Sequence, residues 1–470
     1  MSTEVGPAGV TSVRAAVLAG DTTATEQVRA CAVATRRGTA LQAFTQVDVA
    51  AALSAAAASD RCQQPESLPL HGVVLGVKDN IDTAGFATTA GTPGLRRHRP
   101  QRDARAVAAL RAAGALVIGK CNMHELAYGA TSDNAAYGRV RNPLRPERIA
   151  GGSSGGCAAA VAAGMTTAAI GTETGCSVRV PAALCGLVGF RPTTGAYPGD
   201  GVVPVSWTRD TIGVLARSVA DVQVLDRVLG KRPPAFGDGR AADVRGMRLA
   251  APRLPFLLGM TAALRTAFDT RLARLDAAGA QIIEAPLPAG TDEHVAACGM
   301  TITLYETPPG VERYLSAAGL PSSFDGVAAQ VAGRDVRAIL DPLRTRRVRY
   351  DAYQQALDRR AALGHALSDY FRTHQVDALV VPTTTMTAPR LLPGDRIDHN
   401  GRIQPAFPAL VRNCDISSVL GWPAITLPSL RDETGLPLGI DLQAPPGTEA
   451  RLLAVARACE REWLLPGHRR

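Results

Sequence analysis

Two serines and one lysine stand out in this chain because small or apolar residues surround each of them. Ser153 lies in the run GGSSGG at residues 151–156, and Ser177 ends the run GTETGCS. Lys78 closes an apolar run, GVVLGVK, that is typical of a short buried strand. A buried amine beside two hydroxyl groups can activate a serine nucleophile without a histidine. The three residues therefore predict hydrolysis through a covalent serine intermediate.

Lys78 needs a lowered pKa to act as a base near neutral pH. A free lysine titrates at about 10.4, so a shift of about three units, roughly 4 kcal/mol, is required. Burial at the end of a strand disfavours the charged form and lowers the pKa of an amine. The alternative is a lysine whose stem packs at the strand end while its ammonium group reaches water.

The GGSSGG run allows three interpretations. An alanine-rich helical stretch follows it at once, so the run sits at a helix N-terminus with free N–H groups, which disfavours a flexible linker. The spacing Gly151-x-Ser153-x-Gly155 also fits a nucleophile elbow, which needs an acid and a histidine later in the chain. A phosphate-binding loop is disfavoured because no Lys-Ser/Thr pair follows. Four of the later histidines are candidates for an elbow, none in a recognisable motif: His294, His365, His374 and His399.

The residues before Ser177 are small, which leaves backbone N–H groups free to converge on one point. Such donors stabilise the oxyanion that forms on a carbonyl under attack, and one donor contributes about 3 kcal/mol. Glu173 and Arg179 are predicted to pair and fix this loop, with a plain surface ion pair as the alternative. The predicted donors are the N–H groups of Thr174, Gly175, Cys176 and Ser177.

The run GALVIGKC at residues 114–121 resembles a phosphate-binding P-loop but does not predict one. Its four middle residues are apolar and favour a strand, and a helical pattern precedes it rather than follows it. The P-loop needs a strand, a bare loop and then a helix. We therefore predict a strand here, with Lys120 facing solvent.

Helical and strand patterns alternate along the chain. Thr22 and Thr23 before Glu26 predict a helix N-terminus. The alternation predicts an α/β protein with a largely parallel or mixed buried sheet. We expect one domain over residues 1–470, with a motif-bearing core at about 65–230, a surface connection at 230–246, and a C-terminal part, 231–470, that completes the sheet and the substrate pocket. Strands are predicted at 71–78, 115–119, 167–171, 247–251, 281–285, 378–382 and 425–428, and helices at 105–113, 155–163, 216–229, 264–278 and 352–373.

Composition and charge exclude several classes of protein. With 46% apolar and 20% charged residues the chain is globular, and it has neither a membrane-spanning stretch nor a signal-peptide pattern, so we expect a cytoplasmic protein. The net charge of +9 comes mostly from scattered arginines, and the densest run, 344–349, predicts a solvated helix face. Without aromatic platforms this favours no nucleic-acid partner. Nine scattered cysteines predict neither a zinc site nor a disulfide framework.

Taken in order, these motifs resemble the amidase signature family. The resemblance covers about residues 25–460 and implies one large domain with a twisted mixed β-sheet sandwiched between helices. The matching segments are GVKDN around Lys78, GGSSGG at 151–156, GTETGCS at 171–177, PAALCG at 181–186, GFRPT at 189–193, VPT at 381–383, GWPA at 421–424 and GLPLG at 435–439.

The resemblance implies a Ser-Ser-Lys mechanism that uses no metal and no organic cofactor. Ser177 would form the acyl-enzyme, and Ser153, on a cis peptide bond, would relay the proton between Ser177 and Lys78. Water would then release the acid by the reverse path. Three neighbours would support the site: Glu173, Arg179 and Ser154.

Two residues depart from the family pattern. The family usually has glycine at Cys176 and aspartate at Glu173, so the geometry of the loop or the choice of substrate is expected to shift while activity survives. Cys176 is disfavoured as a nucleophile because no histidine is paired with it.

Residues 122–129 and 204–211 most resemble the indoleacetamide and mandelamide hydrolase branch of the family. This implies a small aryl-acetamide-type primary amide that is cleaved to a carboxylic acid and ammonia. A pocket for an aromatic acyl group would be lined by apolar and aromatic side chains. Six candidates, each also suited to a place in the core, are Met123, Tyr128, Trp207, Tyr305, Met386 and Trp422.

Other functions stay open at this point. Anilides, carbamates or esters could be the substrates of the same three residues. The chain could also be the glutaminase subunit of a tRNA-dependent amidotransferase, acting with partner proteins and tRNA. An α/β-hydrolase would need a downstream histidine instead of Lys78, and an inactive scaffold is disfavoured by the intact triad. A homodimer is left open.

Overall fold

The computed structural model describes residues 8–231 and 243–463, so residues 232–242 of the predicted surface connection lie outside the described residues. The strands are β1 (Phe44–Val47), β2 (Val74–Lys78), β3 (Leu116–Cys121), β4 (Ala168–Glu173), β5 (Val188–Arg191), β6 (Thr211–Ala216), β7 (Arg248–Ala250), β8 (Gln281–Ile283), β9 (Ala378–Pro382), β10 (Leu391–Leu392), β11 (Arg396–His399), β12 (Arg402–Pro405), β13 (Ala424–Arg431) and β14 (Pro437–Gln443). The α-helices are α1 (Val10–Ala19), α2 (Ala24–Arg37), α3 (Val49–Ser59), α4 (Arg105–Ala112), α5 (Gly155–Ala162), α6 (Arg179–Cys185), α7 (Val219–Leu229), α8 (Ala262–Ala277), α9 (Thr291–Ala317), α10 (Phe324–Ala328), α11 (Arg334–Thr345), α12 (Tyr350–His374), α13 (Ala406–Leu420) and α14 (Glu449–Trp463).

A mixed sheet of 11 strands runs through the described chain in the order β1-β3-β2-β4-β6-β5-β13-β14-β9-β7-β8. β2 is parallel to β3 and β4, and β7 is parallel to β8 and β9, whereas the other neighbours are antiparallel. Strands from before and after residue 231 therefore share one sheet. The predicted α/β class with a mixed sheet is confirmed. A separate small sheet contains β10, β11 and β12.

Helices cover both faces of the large sheet because successive strand residues point to opposite sides. Ile170 of β4 packs in a hydrophobic cluster with Val107 of α4 and Val222 of α7. Its neighbour Ala169 packs instead with Ala158 of α5. The central strands are buried on both faces, which explains why they read as nearly continuous apolar runs.

Local boundaries follow the sequence with one main exception. α2 begins with the predicted capping box, in which the Thr23 side chain accepts the Glu26 N–H and the Glu26 side chain accepts the Thr23 N–H. The predicted helix at 216–229 starts too early, because Ala216 ends strand β6 and Ser218 caps α7. The apolar run of β6 stands directly before α7, so its last residue reads as part of the helix.

The arginine-rich run at 344–349 is solvated but is not a single helix face. α11 ends at Thr345 and α12 begins at Tyr350, and the four arginines of the run are exposed at the end of α11 and in the link between the helices. Among residues 8–231 and 243–463, no helix combines the length and the apolar character that crossing a membrane requires.

The sheet brings the chemistry-bearing residues to one edge. Because β2 and β4 are parallel neighbours, their carboxyl ends, Lys78 and Glu173, reach the same edge. The GGSSGG run lies beside them, and its last two glycines begin α5. Gly156 approaches a neighbouring segment so closely that a Cβ atom there would lie 2.2 Å from the Asn122 carbonyl oxygen. Only glycine fits this position.

Candidate active site

Lys78 is fully buried at the centre of the site. Its Nζ lies 2.8 Å from Ser153 Oγ, 2.8 Å from Thr172 Oγ1 and 3.1 Å from the Thr172 carbonyl oxygen. A neutral amine can donate two protons towards Thr172 and accept the Ser153 proton with its lone pair. The Thr172 hydroxyl is held in turn by the Asn80 side-chain amide at 3.1 Å. The geometry therefore suits Lys78 as a base that acts on Ser153.

Burial lowers the pKa of Lys78 to about 7. Removing an amine from water disfavours its charged form, and the negative charges of Asp210 and Glu173 offset this only in part. The alternative interpretation, an ammonium group that reaches water, disagrees with the structure. An uncharged amine is therefore available at neutral pH.

Ser153 lies on a backbone segment that is tied to its neighbours on both sides. The peptide bond between Gly152 and Ser153 is cis, as the family resemblance implies. The Ser153 carbonyl oxygen accepts the N–H of His124 at 3.1 Å, and Ser154 donates its N–H to the Ser177 carbonyl oxygen at 3.0 Å. The segments that carry the two serines thus adjoin. Across the described ranges no hydrogen bond joins the Ser153 and Ser177 hydroxyl groups directly.

Ser177 is the more accessible of the two serines, because 6% of its surface is exposed whereas Ser153 has none. It lies in the turn between β4 and α6, where the backbone belongs to no helix or strand. In the part of the chain that the structure describes, four successive N–H groups of this turn donate to no protein acceptor: those of Thr174, Gly175, Cys176 and Ser177. Donors of this kind are available to an oxyanion.

Asp210 holds the first residue of this turn. It accepts a hydrogen bond from Thr174 Oγ1 at 2.5 Å and accepts the N–H groups of Val205 and Ser206 at 2.8 and 2.9 Å. The carboxylate therefore fixes the turn to the segment before β6. Burial raises the pKa of Asp210, which these hydrogen bonds oppose.

Glu173 and Arg179 form a buried charged network at the base of the same turn. Glu173 accepts the backbone N–H groups of Val178 and Arg179 at 2.8 and 3.0 Å and the Arg179 Nε–H at 2.8 Å. Arg179 also donates to Asp441 of β14 at 2.6 Å. All three charged side chains are fully buried, so a surface ion pair is excluded. Although burial opposes its charge, Arg179 and Arg191 hold the pKa of Glu173 below its usual value.

Cys176 adds a buried thiol beside the free N–H groups. Its Sγ lies 3.9 Å from the Gly152 carbonyl oxygen, and burial raises the pKa of the thiol. A thiolate is disfavoured there, which argues against Cys176 as a nucleophile. Met386, one of the six pocket candidates, packs in the same hydrophobic cluster as Cys176 and Val411. This candidate lies beside the turn that carries Ser177.

Tyr128 and Met123, two further pocket candidates, are buried near the site loops. The Tyr128 hydroxyl hydrogen-bonds with Thr307 Oγ1, which also contacts the Val205 carbonyl oxygen at 2.6 Å. Met123 immediately precedes His124, whose N–H binds Ser153. Both candidates are therefore connected to segments that build the site.

The other three pocket candidates pack against residues of α9 and α12. Trp207 is 38% exposed, with the Arg313 guanidinium 4.3 Å from its ring centroid. Tyr305 stacks on Tyr353 at 4.0 Å, and Trp422 meets Phe371 edge-on at 5.5 Å. Tyr305 and Trp422 belong to a hydrophobic cluster that contains none of the serine-loop residues. Their role as pocket residues stays a prediction.

The prediction that Lys120 faces solvent is wrong. Its side chain is fully buried, with Nζ 3.3 Å from Asp79 Oδ1 and 3.2 Å from both the Ala87 carbonyl oxygen and Thr88 Oγ1. β3 lies between β1 and β2, so no part of it forms a sheet edge. Asp79, the residue after Lys78, supplies the counter-charge that makes this burial tolerable.

Sequence reasoning missed several polar residues that shape the site. Asn80 lies in the GVKDN motif and Thr172 in the GTETGCS motif, so their positions could have indicated that they belong to the site. Asp210 lies in the resembling segment 204–211, whereas Asp441 reaches Arg179 from 262 positions away, and nothing in its local sequence indicates this contact. Within the described ranges, no group of three or more His, Cys, Asp or Glu side chains is placed to hold a metal ion.

Comparison with known proteins places this geometry in a family. The family model described as Amidase matches residues 26–453. The chain is 40% identical to an indoleacetamide hydrolase of Agrobacterium vitis, over 83% of this chain and 84% of that protein. It is 39% identical to a mandelamide hydrolase of Pseudomonas putida, over 89% and 84%.

Two further proteins cover almost the whole chain. A glutamyl-tRNA(Gln) amidotransferase subunit from Chloroflexus aurantiacus is 36% identical over 98% of both chains. The structure of a peptide amidase from Stenotrophomonas maltophilia superposes with a TM-score of 0.82 at 31% identity, over 98% of this chain and 97% of the other.

Proposed function

The chain belongs to the amidase family and is a hydrolase of amide C–N bonds, and on that premise we propose that it cleaves a small, aryl-substituted primary amide to a carboxylate and ammonia. Indoleacetamide and mandelamide, the compounds in the names of two relatives, both carry a primary amide on an arylacetyl group. The observation that carries the proposal is the buried 2.8 Å contact between Lys78 and Ser153, beside a turn with free N–H groups at Ser177.

In the proposed acylation step, neutral Lys78 accepts the proton of Ser153 while Ser153 accepts the proton of Ser177. The Ser177 oxygen forms a bond to the amide carbon, and the carbonyl electron pair moves onto the oxygen, which the N–H groups of the turn stabilise. When this pair returns, the C–N bond breaks, and the amine leaves with the proton that Ser153 passes on from Lys78. Ammonia and an acyl ester on Ser177 are the products.

In the proposed deacylation step, water takes the place of the amine. It loses a proton through Ser153 to Lys78 as it attacks the ester carbon, and the same route returns the proton to the Ser177 oxygen as the ester bond breaks. A carboxylic acid is released and the enzyme returns to its starting state. The pKa of Lys78, about 7, suits both directions of transfer because neither protonation state is strongly favoured at neutral pH.

The proposal is tested by a panel of amides, anilides, carbamates and esters with the purified chain. We expect ammonia release from aryl-acetamides to exceed turnover of the other classes. Ser177→Ala and Lys78→Ala should each abolish hydrolysis, and Ser153→Ala should nearly do so. Ser368→Ala, which removes an exposed hydroxyl on α12, is the matched control and should keep full activity. Normal turnover by any of the three site variants would refute the role assigned to that residue.

Covalent capture tests the nucleophile separately. A fluorophosphonate or sulfonyl fluoride should label one peptide, and mapping should place the adduct on Ser177. Labelling should be lost in Lys78→Ala, because the hydroxyl is then no longer activated. An adduct on Ser153 or Cys176 would contradict the assignment.

A second candidate function is that of the glutaminase component of a tRNA-dependent amidotransferase, and the amidotransferase relative that matches 98% of the chain supports it. This function predicts ammonia release from glutamine and dependence on partner proteins. Turnover of aryl-acetamides by the isolated chain, with none of glutamine, would exclude it. Cytoplasmic location, absence of nucleic-acid binding and a homodimer stay predictions, and gel filtration of the purified chain tests the last of these.

A further inference from the structure

His124 is a fully buried histidine that connects the Ser153 segment to two distant parts of the chain. Its backbone N–H binds the Ser153 carbonyl oxygen at 3.1 Å. Its ring Nε2 lies 2.7 Å from Asp335 Oδ2, at the start of α11, and its Nδ1 lies 3.3 Å from Thr131 Oγ1. None of these contacts is used by the proposed chemical steps.

The hydrogen bonds around the ring determine its protonation state. When the single hydroxyl proton of Thr131 is donated to Asp395 Oδ1 at 3.0 Å, Thr131 accepts from the His124 Nδ1. The other nitrogen, Nε2, faces a carboxylate, which also accepts. In this arrangement both ring nitrogens carry a proton, and the ring is a charged imidazolium.

The surroundings of the ring favour this charge. Three carboxylates face it, from α11 (Asp335), from the turn between β10 and β11 (Asp395) and from the loop between β3 and α5 (Asp133). Although burial opposes the charge, these carboxylates raise the pKa of His124. Arg139 neutralises Asp133 at 2.9 and 3.0 Å. Asp335 and Asp395 are therefore the main counter-charges.

The residue after His124 holds the same helix. Glu125 accepts the N–H groups of Ala332 and Gly333 at 3.0 and 2.7 Å, directly before α11. α10 and α11 in turn pack in one hydrophobic cluster with Tyr128 and Leu126. Residues 124–125 thus fasten the α10–α11 segment to the backbone that carries Ser153.

We propose that charged His124 is a positioning residue, which holds the Ser153 segment against α11 and the Asp395 turn, and that loss of its proton sets the alkaline limit of amide hydrolysis. The inference rests on the proposed function. Neutral His124 can donate only one hydrogen bond, so above its pKa the network loses a contact: the Asp335 bond, the Thr131 bond, or the Thr131–Asp395 bond if the hydroxyl turns to Nδ1. Lys78 must be neutral and His124 charged, which predicts a bell-shaped pH dependence of kcat/KM.

Lys78 determines the rising limb of the pH profile of kcat/KM, and His124 determines the falling limb. Activity rises with pH as Lys78 loses its proton, at about pH 7, and falls again as His124 loses its own. Asp335→Asn removes the nearest counter-charge, so the falling limb should move to lower pH while the rising limb stays in place. His124→Gln keeps a donor within reach of Asp335 but cannot titrate. It should show only the rising limb, at a plateau about tenfold or more below the wild-type maximum.

The test combines kinetics with an observation that needs no turnover. Profiles of kcat/KM are measured for the wild type, Asp335→Asn and His124→Gln, with Asp369→Asn as the control because it removes an exposed carboxylate that is paired on α12. In parallel, ring-labelled histidine NMR follows His124, whose signal is assigned by its absence in the Gln variant. We expect a doubly protonated ring at pH 7 in the wild type and a lower pKa in Asp335→Asn.

The outcomes separate this inference from the proposed function. A His124 ring with one proton at pH 7, or a falling limb that Asp335→Asn leaves in place, would overturn the inference. If the wild type hydrolyses no aryl amide, the proposed function fails, while the NMR titration still decides the charge of His124. If His124→Gln does not fold, Asp335→Asn and Thr131→Val, which removes the acceptor of Nδ1, carry the test.

Discussion

Replacing Lys78 with methionine should remove activity and, near neutral pH, make the protein more stable. The lysine titrates at about 10.5 in the unfolded chain and at about 7 in the folded one. Between these values the unfolded chain binds more protons, so the wild-type free energy of unfolding rises with pH. Integrating this difference gives a cost of about 4 kcal/mol at pH 7, which nearly vanishes at pH 10.5. Methionine fills a similar volume and has no charge to bury.

The variant also loses hydrogen bonds, and this loss must be subtracted to obtain the net change in the free energy of unfolding. Ser153 Oγ and the two Thr172 oxygens lose their partner, at a cost of about 2–3 kcal/mol in total. We therefore expect Lys78→Met to be more stable than the wild type by about 1–2 kcal/mol at pH 7. It should be less stable by about 2 kcal/mol at pH 10, because the hydrogen-bond cost remains while the ionisation cost has gone.

Urea unfolding at a series of pH values from 7 to 10 measures this directly. The informative quantity is the difference in unfolding free energy between variant and wild type, since other titrating groups cancel in it. Lys231→Met, which replaces an exposed lysine, is the control and should give a flat difference. A difference that is equally flat for Lys78→Met would refute the view that Lys78 is held uncharged by burial.

Three further predictions concern the charged groups of the site. The kcat/KM for amide hydrolysis should rise about tenfold per pH unit below pH 7, because only neutral Lys78 accepts a proton, and a flat profile from pH 5 to 7 would contradict this. Lys120→Met should lower the free energy of unfolding by about 3–5 kcal/mol at pH 7, because Asp79 is left buried without its partner. This change is opposite in sign to the one expected for Lys78→Met. Calorimetric or urea unfolding that shows no loss of stability would overturn the assignment of a buried ion pair. Arg179→Met should lower the free energy of unfolding by a similar amount, because Glu173 loses the arginine that binds it. Its kcat should fall more than its KM rises, because the turn that carries the N–H groups loses its support. An unchanged kcat would show that the turn does not depend on this charged network.

The sequence was sufficient to identify the fold class and to single out Lys78, Ser153 and Ser177, whose segments the structure brings together. Lys78 and the serine loops are encoded locally, because a strand end, a glycine-rich turn and a helix start each have their own sequence pattern. The parallel pairing of β2 with β4 follows from the strand–helix–strand alternation. These features depend on short segments, and short segments are what a single sequence shows.

The remaining features depend on contacts between distant segments. Lys120 reads as a solvent-facing lysine until β1 and Asp79 are seen to cover it. The sequence likewise does not show that Tyr305 packs on Tyr353 and Trp422 on Phe371, both of α12. His124 reads as an ordinary loop residue because Asp335 lies more than 200 positions away. Such pairings are set by tertiary packing, which local patterns do not encode.

The bond between Arg179 and Asp441 has a consequence for the newly made chain. β14, which carries Asp441, lies between β13 and β9 in the interior of the sheet. Arg179, near Ser177, therefore lacks its Asp441 partner until translation has passed position 441. Lys78 and both serines have left the ribosome long before that point. Hydrolytic competence should therefore arise late in synthesis, and chains that stop before β14 should be inert despite containing all three residues.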